Sequence, residues 1–129
     1  MGASGYQDGR YFYCGVVLDT EALGNVGSTK THVAHVIPFH LNNQLKVLDR
    51  VWNLVNSCFE CNMSKGGQVP VFQIVRRVHE RNEYYISSNH PLKESIIKST
   101  GVTEANRTDF FKRLHEDASK LLQPTWSDG

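Results

Sequence analysis

The chain has 129 residues, a length that fits one domain. Hydrophobic residues make up 40%, enough for a modest core, and no apolar run approaches the roughly 18 residues that a membrane span needs. The net charge of +1 excludes a strongly basic or acidic protein, and with no charged, apolar leader at the start a secretory signal is not expected.

The charge is unevenly spread. Residues 30–81 carry seven basic side chains (Lys30, Lys46, Arg50, Lys65, Arg76, Arg77 and Arg81) against three acidic ones. The segments on either side are slightly acidic. A local excess of this kind suits a polyanion partner, although on charge alone it is the pattern of an ordinary solvated surface.

In chain order, residues 1–10 are Gly-rich and read as a flexible lead. "YFYCGVVL", residues 11–18, is aromatic and β-branched and predicts a strand. Gly24, Gly27 and Ser28 mark a loop. Thr31 to Phe39 predicts a second strand, closed by Pro38, and Asn42-Asn43-Gln44 is loop chemistry. Leu54 to Cys58 predicts a short strand, and Glu60 to Lys65 a short helix stopped by Gly66-Gly67.

From Pro70 the period changes. Val71, Ile74, Val75 and Val78 follow helical spacing, with Arg76, Arg77 and Arg81 placed elsewhere on that helix. Pro91 suits the first position of a further helix, and Gly101 its end. A last helix is predicted from about Glu104 to Leu122, with Phe110, Phe111, Leu114, Ala118, Leu121 and Leu122 as its apolar stripe, closed by Pro124. Residues 71–124 are thus a helical extension, and 125–129 a flexible tail. A β-rich front and a helical back make the class α+β.

Chemistry concentrates in "THVAHVIPF", residues 31–39, and "LDRVWNLVNSCFECNMSKGGQVP", residues 48–70. Taken singly, a strand histidine is usually packed, and a loop asparagine usually caps a turn. Taken in order, His35, Ile37-Pro38, Trp52-Asn53-Leu54, Cys58, Cys61, Asn62, Lys65 and Pro70 resemble the core of HNH endonucleases, a family found among bacterial restriction and anti-phage defence proteins. The resemblance covers residues 11–70. It implies a ββα-metal core followed by a small helical region, with a histidine after a strand, an asparagine in a loop and an asparagine on a short helix.

The implied chemistry is metal-dependent hydrolysis of DNA, leaving 3′-hydroxyl and 5′-phosphate ends. His35 would be the general base, since a neutral imidazole takes a proton from water near neutral pH. Mg²⁺ or Mn²⁺ would offset charge at the phosphate, with Asn62 as an oxygen ligand. Asn53 would brace the loop and orient the base. The partner would be double-stranded DNA, together with other domains or subunits of a defence system, or a second copy of the chain.

One position departs from the family. An aspartate usually precedes the histidine as the main metal ligand, and here that position is Ala34. A methyl group binds no cation, whereas Mg²⁺ sites take at least one carboxylate. A branch that completes its site differently, a non-cleaving DNA-binding relative, and an Asp-to-Ala substitution all fit. His32 lies three residues from His35, which on an extended strand is the opposite face.

Cys14, Cys58 and Cys61 offer three of the four ligands a structural zinc prefers, and Tyr11 stands where a second Cys-x-x-Cys pair would begin. Three thiols acting as small apolar groups, or a zinc-knuckle module for protein contacts, are the alternatives. The odd cysteine count fits a reducing, cytoplasmic setting. Lys65, Arg76 and Arg77 are the candidate phosphate contacts, and Arg81 is expected on a solvated face.

Overall fold

The computed structural model describes residues 10–15 and 31–127. The predicted loop at Gly24, Gly27 and Ser28 and most of the predicted lead lie outside them.

Two strands form an antiparallel hairpin: β1, Thr31–His35, and β2, Leu54–Cys58. The register pairs Thr31 with Cys58 and His35 with Leu54. Side chains alternate, so Ala34, Val55 and Ser57 are buried while Val33 is exposed. Residues 36–53 connect the strands through a 3₁₀ turn, Phe39–Leu41, the single helical turn α1, Asn42–Leu45, and a second 3₁₀ turn, Val51–Asn53. The second strand therefore stops at His35, short of the predicted Phe39. The predicted loop at Asn42-Asn43-Gln44 winds into α1, closed by Lys46 in the left-handed region at φ 62°.

Helix α2, Phe59–Lys65, follows β2 directly and ends at Gly66, where φ is 50°. The helical region is α3, Phe72–Ser87, α4, Lys93–Thr100, and α5, Glu104–Leu121. Pro91 sits in the turn before α4 rather than inside it, and Gly101 ends that helix as expected. Thr103 caps α5 by accepting from the Asn106 amide at 3.1 Å. The class is mixed α+β.

One core joins the hairpin to the helices. Trp52, 1% exposed, meets Phe110 and Phe111 edge-on at 5.3 and 5.2 Å. Burial of a side chain of that size contributes roughly 2–3 kcal/mol. Ile74, Val75 and Val78 of α3 and Phe111, Leu114 and Ala118 of α5 complete it. Arg107 of α5 donates to both carboxylate oxygens of Glu83 on α3, at 2.7 and 2.9 Å.

Four expectations change. Within the described residues, 11–14 form a turn rather than a strand, tied to β2 by the Phe12 amide on the Asn56 carbonyl. Residues 16–18 of that predicted strand lie outside the described part. Arg81 is not on a solvated face: it is 3% exposed and donates to the carbonyls of Val51, Trp52 and Leu54. It continues the stripe of Ile74 and Val78, where guanidinium donors satisfy the carbonyls of the turn entering β2. Leu121 and Leu122 are exposed because α5 runs past the core. The tail is pinned as far as Trp126, which is buried, pairs with Pro70 and donates from Nε1 to Ser64 Oγ at 3.1 Å.

Candidate functional site

His35 is the last residue of β1 and Asn53 the last before β2, so the hairpin register brings them together. Asn53 is fully buried. Its oxygen accepts the Ile37 amide at 2.9 Å, and its nitrogen donates to the carbonyls of Ile37 at 3.0 Å and Leu48 at 2.9 Å. Its own carbonyl accepts the Val36 amide at 2.9 Å. One side chain thus ties both ends of the connection to the hairpin.

The His35 ring is partly exposed, at 28% of its side-chain surface. Its Nε2 lies 3.3 Å from Asp49 Oδ1, and the Phe39 ring flanks it at 5.2 Å. Sequence reasoning missed Asp49. It lies fourteen residues on, across a turn, and no local pattern marks it.

Ala34 leaves the opposite face of β1 and is buried in the core. His32 shares that face, and its ring lies 5.5 Å from Phe59, the first residue of α2. The face of Ala34 is therefore the one that α2 covers. Asn62 is half-buried on α2. It offers one neutral oxygen and Ala34 offers none, so these donors do not fit a self-contained Mg²⁺ site.

The cysteines do fit a metal. Cys14, Cys58 and Cys61 place their sulfurs within 4.8 Å of one another. Cys14 and Cys58 are 3.8 Å apart, the spacing of roughly 3.8 Å that two thiolates at about 2.3 Å from a tetrahedral zinc require. Cys58 also accepts the Cys61 amide at 3.4 Å as the N-cap of α2. Burial first, and then the neighbouring Cys58 thiol, push Cys61 up to about 12. A divalent ion reverses that cost by pairing the thiolates with positive charge. The three cysteines can hold a metal such as zinc.

Of the predicted phosphate contacts, only Arg76 is exposed. Lys65 is 2% exposed and donates to the His35 carbonyl at 3.3 Å, and burial lowers its pKa to about 8. Arg77 donates to the carbonyls of Phe12 and Tyr13 and lies over the Phe12 ring at 4.8 Å. It holds the Cys14 turn against α3. Lys46 and Arg50 are exposed on the connection between the strands.

Among the described residues, no helix is long and apolar enough to cross a membrane. No protein-family model, no curated protein and no solved structure matches this chain.

Proposed function

We propose that this chain is a DNA endonuclease module of HNH type, serving a restriction or anti-phage system, with β1, β2 and α2 as its ββα-metal core. The observation that carries this reading is the place of Asn53. The middle residue of the His–Asn–Asn series is a buried clamp beside the strand end that carries His35, and Asn62 follows on the helix after β2. A partly exposed histidine, a bracing asparagine and a helix asparagine in that order suit hydrolysis of a phosphodiester at a surface. His35 takes the proton from water. Asn53 keeps the base on its strand end. Lys46, Arg50 and Arg76 meet backbone phosphates, since Lys65 and Arg77 are engaged inside the protein. Cys14, Cys58 and Cys61 would hold a zinc ion, which would tie the first turn to the hairpin.

Ala34 favours one second reading, a relative that binds duplex DNA without cutting it. The family's divalent ion, Mg²⁺ or Mn²⁺, lacks a carboxylate on this side of the strand.

The test is nicking of supercoiled duplex DNA across Mg²⁺ and Mn²⁺ concentrations, alongside binding at several salt concentrations. Slow, metal-dependent nicking is expected, reduced about 10²–10⁴-fold in His35→Ala. Binding that weakens steeply with salt but never leads to a nick supports the second reading. A chain with no affinity for DNA, or a His35→Ala variant that cuts at the parent rate, defeats the nuclease assignment.

A further inference from the structure

We infer that Asp49 is a positioning residue for His35: its carboxylate holds the imidazole by Nε2 and leaves Nδ1 as the nitrogen that accepts a proton. The inference rests on the nuclease reading for its purpose, but not for its geometry. Nε2 and Oδ1 are 3.3 Å apart, with 28% of the histidine side chain and 64% of the aspartate exposed. An exposed pair of this kind is ordinarily worth little, because both side chains are free to leave it.

Here the backbone on both sides is fixed. Asn53 binds Ile37, two residues after His35, through its amide and its carbonyl. The same carboxamide binds the carbonyl of Leu48, one residue before Asp49. The buried Lys65 ammonium donates to the carbonyl of His35 itself. The segments carrying base and carboxylate are therefore joined through one fully buried side chain, and the distance between them is set by the fold. The Phe39 ring flanks the imidazole at 5.2 Å.

A carboxylate that accepts from one imidazole nitrogen selects the tautomer and aims the other nitrogen. Position 34 cannot do this, because it faces α2 from the other side of the strand. The only acid that contacts His35 among the described ion pairs is Asp49.

The experiment reads the ring directly, in free protein without DNA. Long-range ¹H–¹⁵N spectra of the His35 imidazole are recorded for the parent chain, Asp49→Ala and Asp49→Glu. In the parent, the neutral ring is expected to carry its proton on Nε2 and to exchange it slowly with water. Asp49→Ala should speed that exchange about 10-fold or more and raise the Nδ1–H form, with partial recovery in Asp49→Glu. In the nicking assay, kcat should fall about 10–100-fold in Asp49→Ala while KM for DNA moves less than about 2-fold.

A parent ring protonated on Nδ1, or an exchange rate that ignores Asp49→Ala, overturns the inference. So does a variant that loses Mn²⁺ affinity with an unchanged ring spectrum, which would make Asp49 a cation ligand. If the ring responds as expected but neither chain nicks DNA, the positioning contact stands and the nuclease reading falls.

Discussion

The side-chain amide of Asn53 donates to the Ile37 carbonyl at 3.0 Å while its oxygen accepts the amide of the same residue at 2.9 Å. This two-way bond copies a strand pairing where the strand has ended. It holds the chain straight into Pro38 and keeps His35 at the end of β1.

Replacing Asn53 by Ala leaves the Ile37 amide, the Ile37 carbonyl and the Leu48 carbonyl without this partner in a buried site. Each such loss costs about 1–3 kcal/mol, less whatever water recovers. Asn53→Ala should lose about 2–4 kcal/mol in chemical denaturation, with Tm lower by roughly 10 °C. A variant within about 0.5 kcal/mol of the parent would remove Asn53 from the architecture of the site.

Much of the helical half is legible from sequence, because its signals are local. The spacing of Ile74, Val75 and Val78 and the stop at Gly101 need no distant partner. Arg81 defeats the same reasoning. A charged residue on the apolar stripe is read as solvated, but its acceptors are carbonyls of Val51, Trp52 and Leu54, about thirty positions away. Tyr11 to Tyr13 mislead for a related reason. Aromatic residues mark strands only statistically, and here Phe12 and Tyr13 pack as an edge-on pair within a turn, with Trp126 on Tyr13 at 4.9 Å. His35, Asn53 and Asn62 stand out as the proposed site only through their order in the sequence, and Asn53 as the buried clamp between Ile37 and Leu48 only in the fold. The partner of His35 is not legible, since Asp49 reaches it only once the connection has folded back.

The cysteine group predicts one equivalent of zinc. Metal analysis of protein purified without chelator should give about one Zn²⁺ per chain, and Cys58→Ser should lose it, since Cys58 touches both other cysteines. Removal of the ion should lower Tm by roughly 5 °C or more, because Cys14 then holds its turn to β2 without a metal bridge. A chain that retains full stability at a strong chelator concentration, with no zinc found, leaves the thiols as packing groups.

Ala34 predicts an exchange between stability and metal. It is 6% exposed, on the face covered by α2. A carboxylate there is buried without a partner and should cost about 2 kcal/mol or more in metal-free buffer. With Asn62 on the covering helix, Mg²⁺ or Mn²⁺ should restore that loss in Ala34→Asp and have little effect on the parent chain. Thermal melts with and without each ion provide the comparison. If the ions leave the melting temperature of Ala34→Asp unchanged, position 34 and Asn62 do not share a cation.

Lys65 predicts an alkaline signature. Burial lowers its pKa from 10.5 to about 8, and its described bond is a single one, to the neutral carbonyl of His35. Below about pH 8 the ammonium is charged in both folded and unfolded chains, and folding carries the full cost of burying it. Between about pH 8 and 10.5 the folded chain releases the proton first. The unfolded chain then binds more protons, so this residue makes stability rise with pH, by at most roughly 3 kcal/mol across the window. Cys61, raised by burial to about 12, acts in the opposite sense above pH 9. The contribution of Lys65 is therefore read as a difference between the parent and Lys65→Met. Met fills a similar volume without charge, so at pH 7 the variant should be as stable as the parent or more so. The advantage should shrink as pH climbs from 8 to 10. Denaturation curves for both chains at pH 7, 8, 9 and 10 give the measurement. A constant difference across that range would mean that Lys65 is solvated in solution and titrates like any surface lysine, returning it to the set of candidate phosphate contacts.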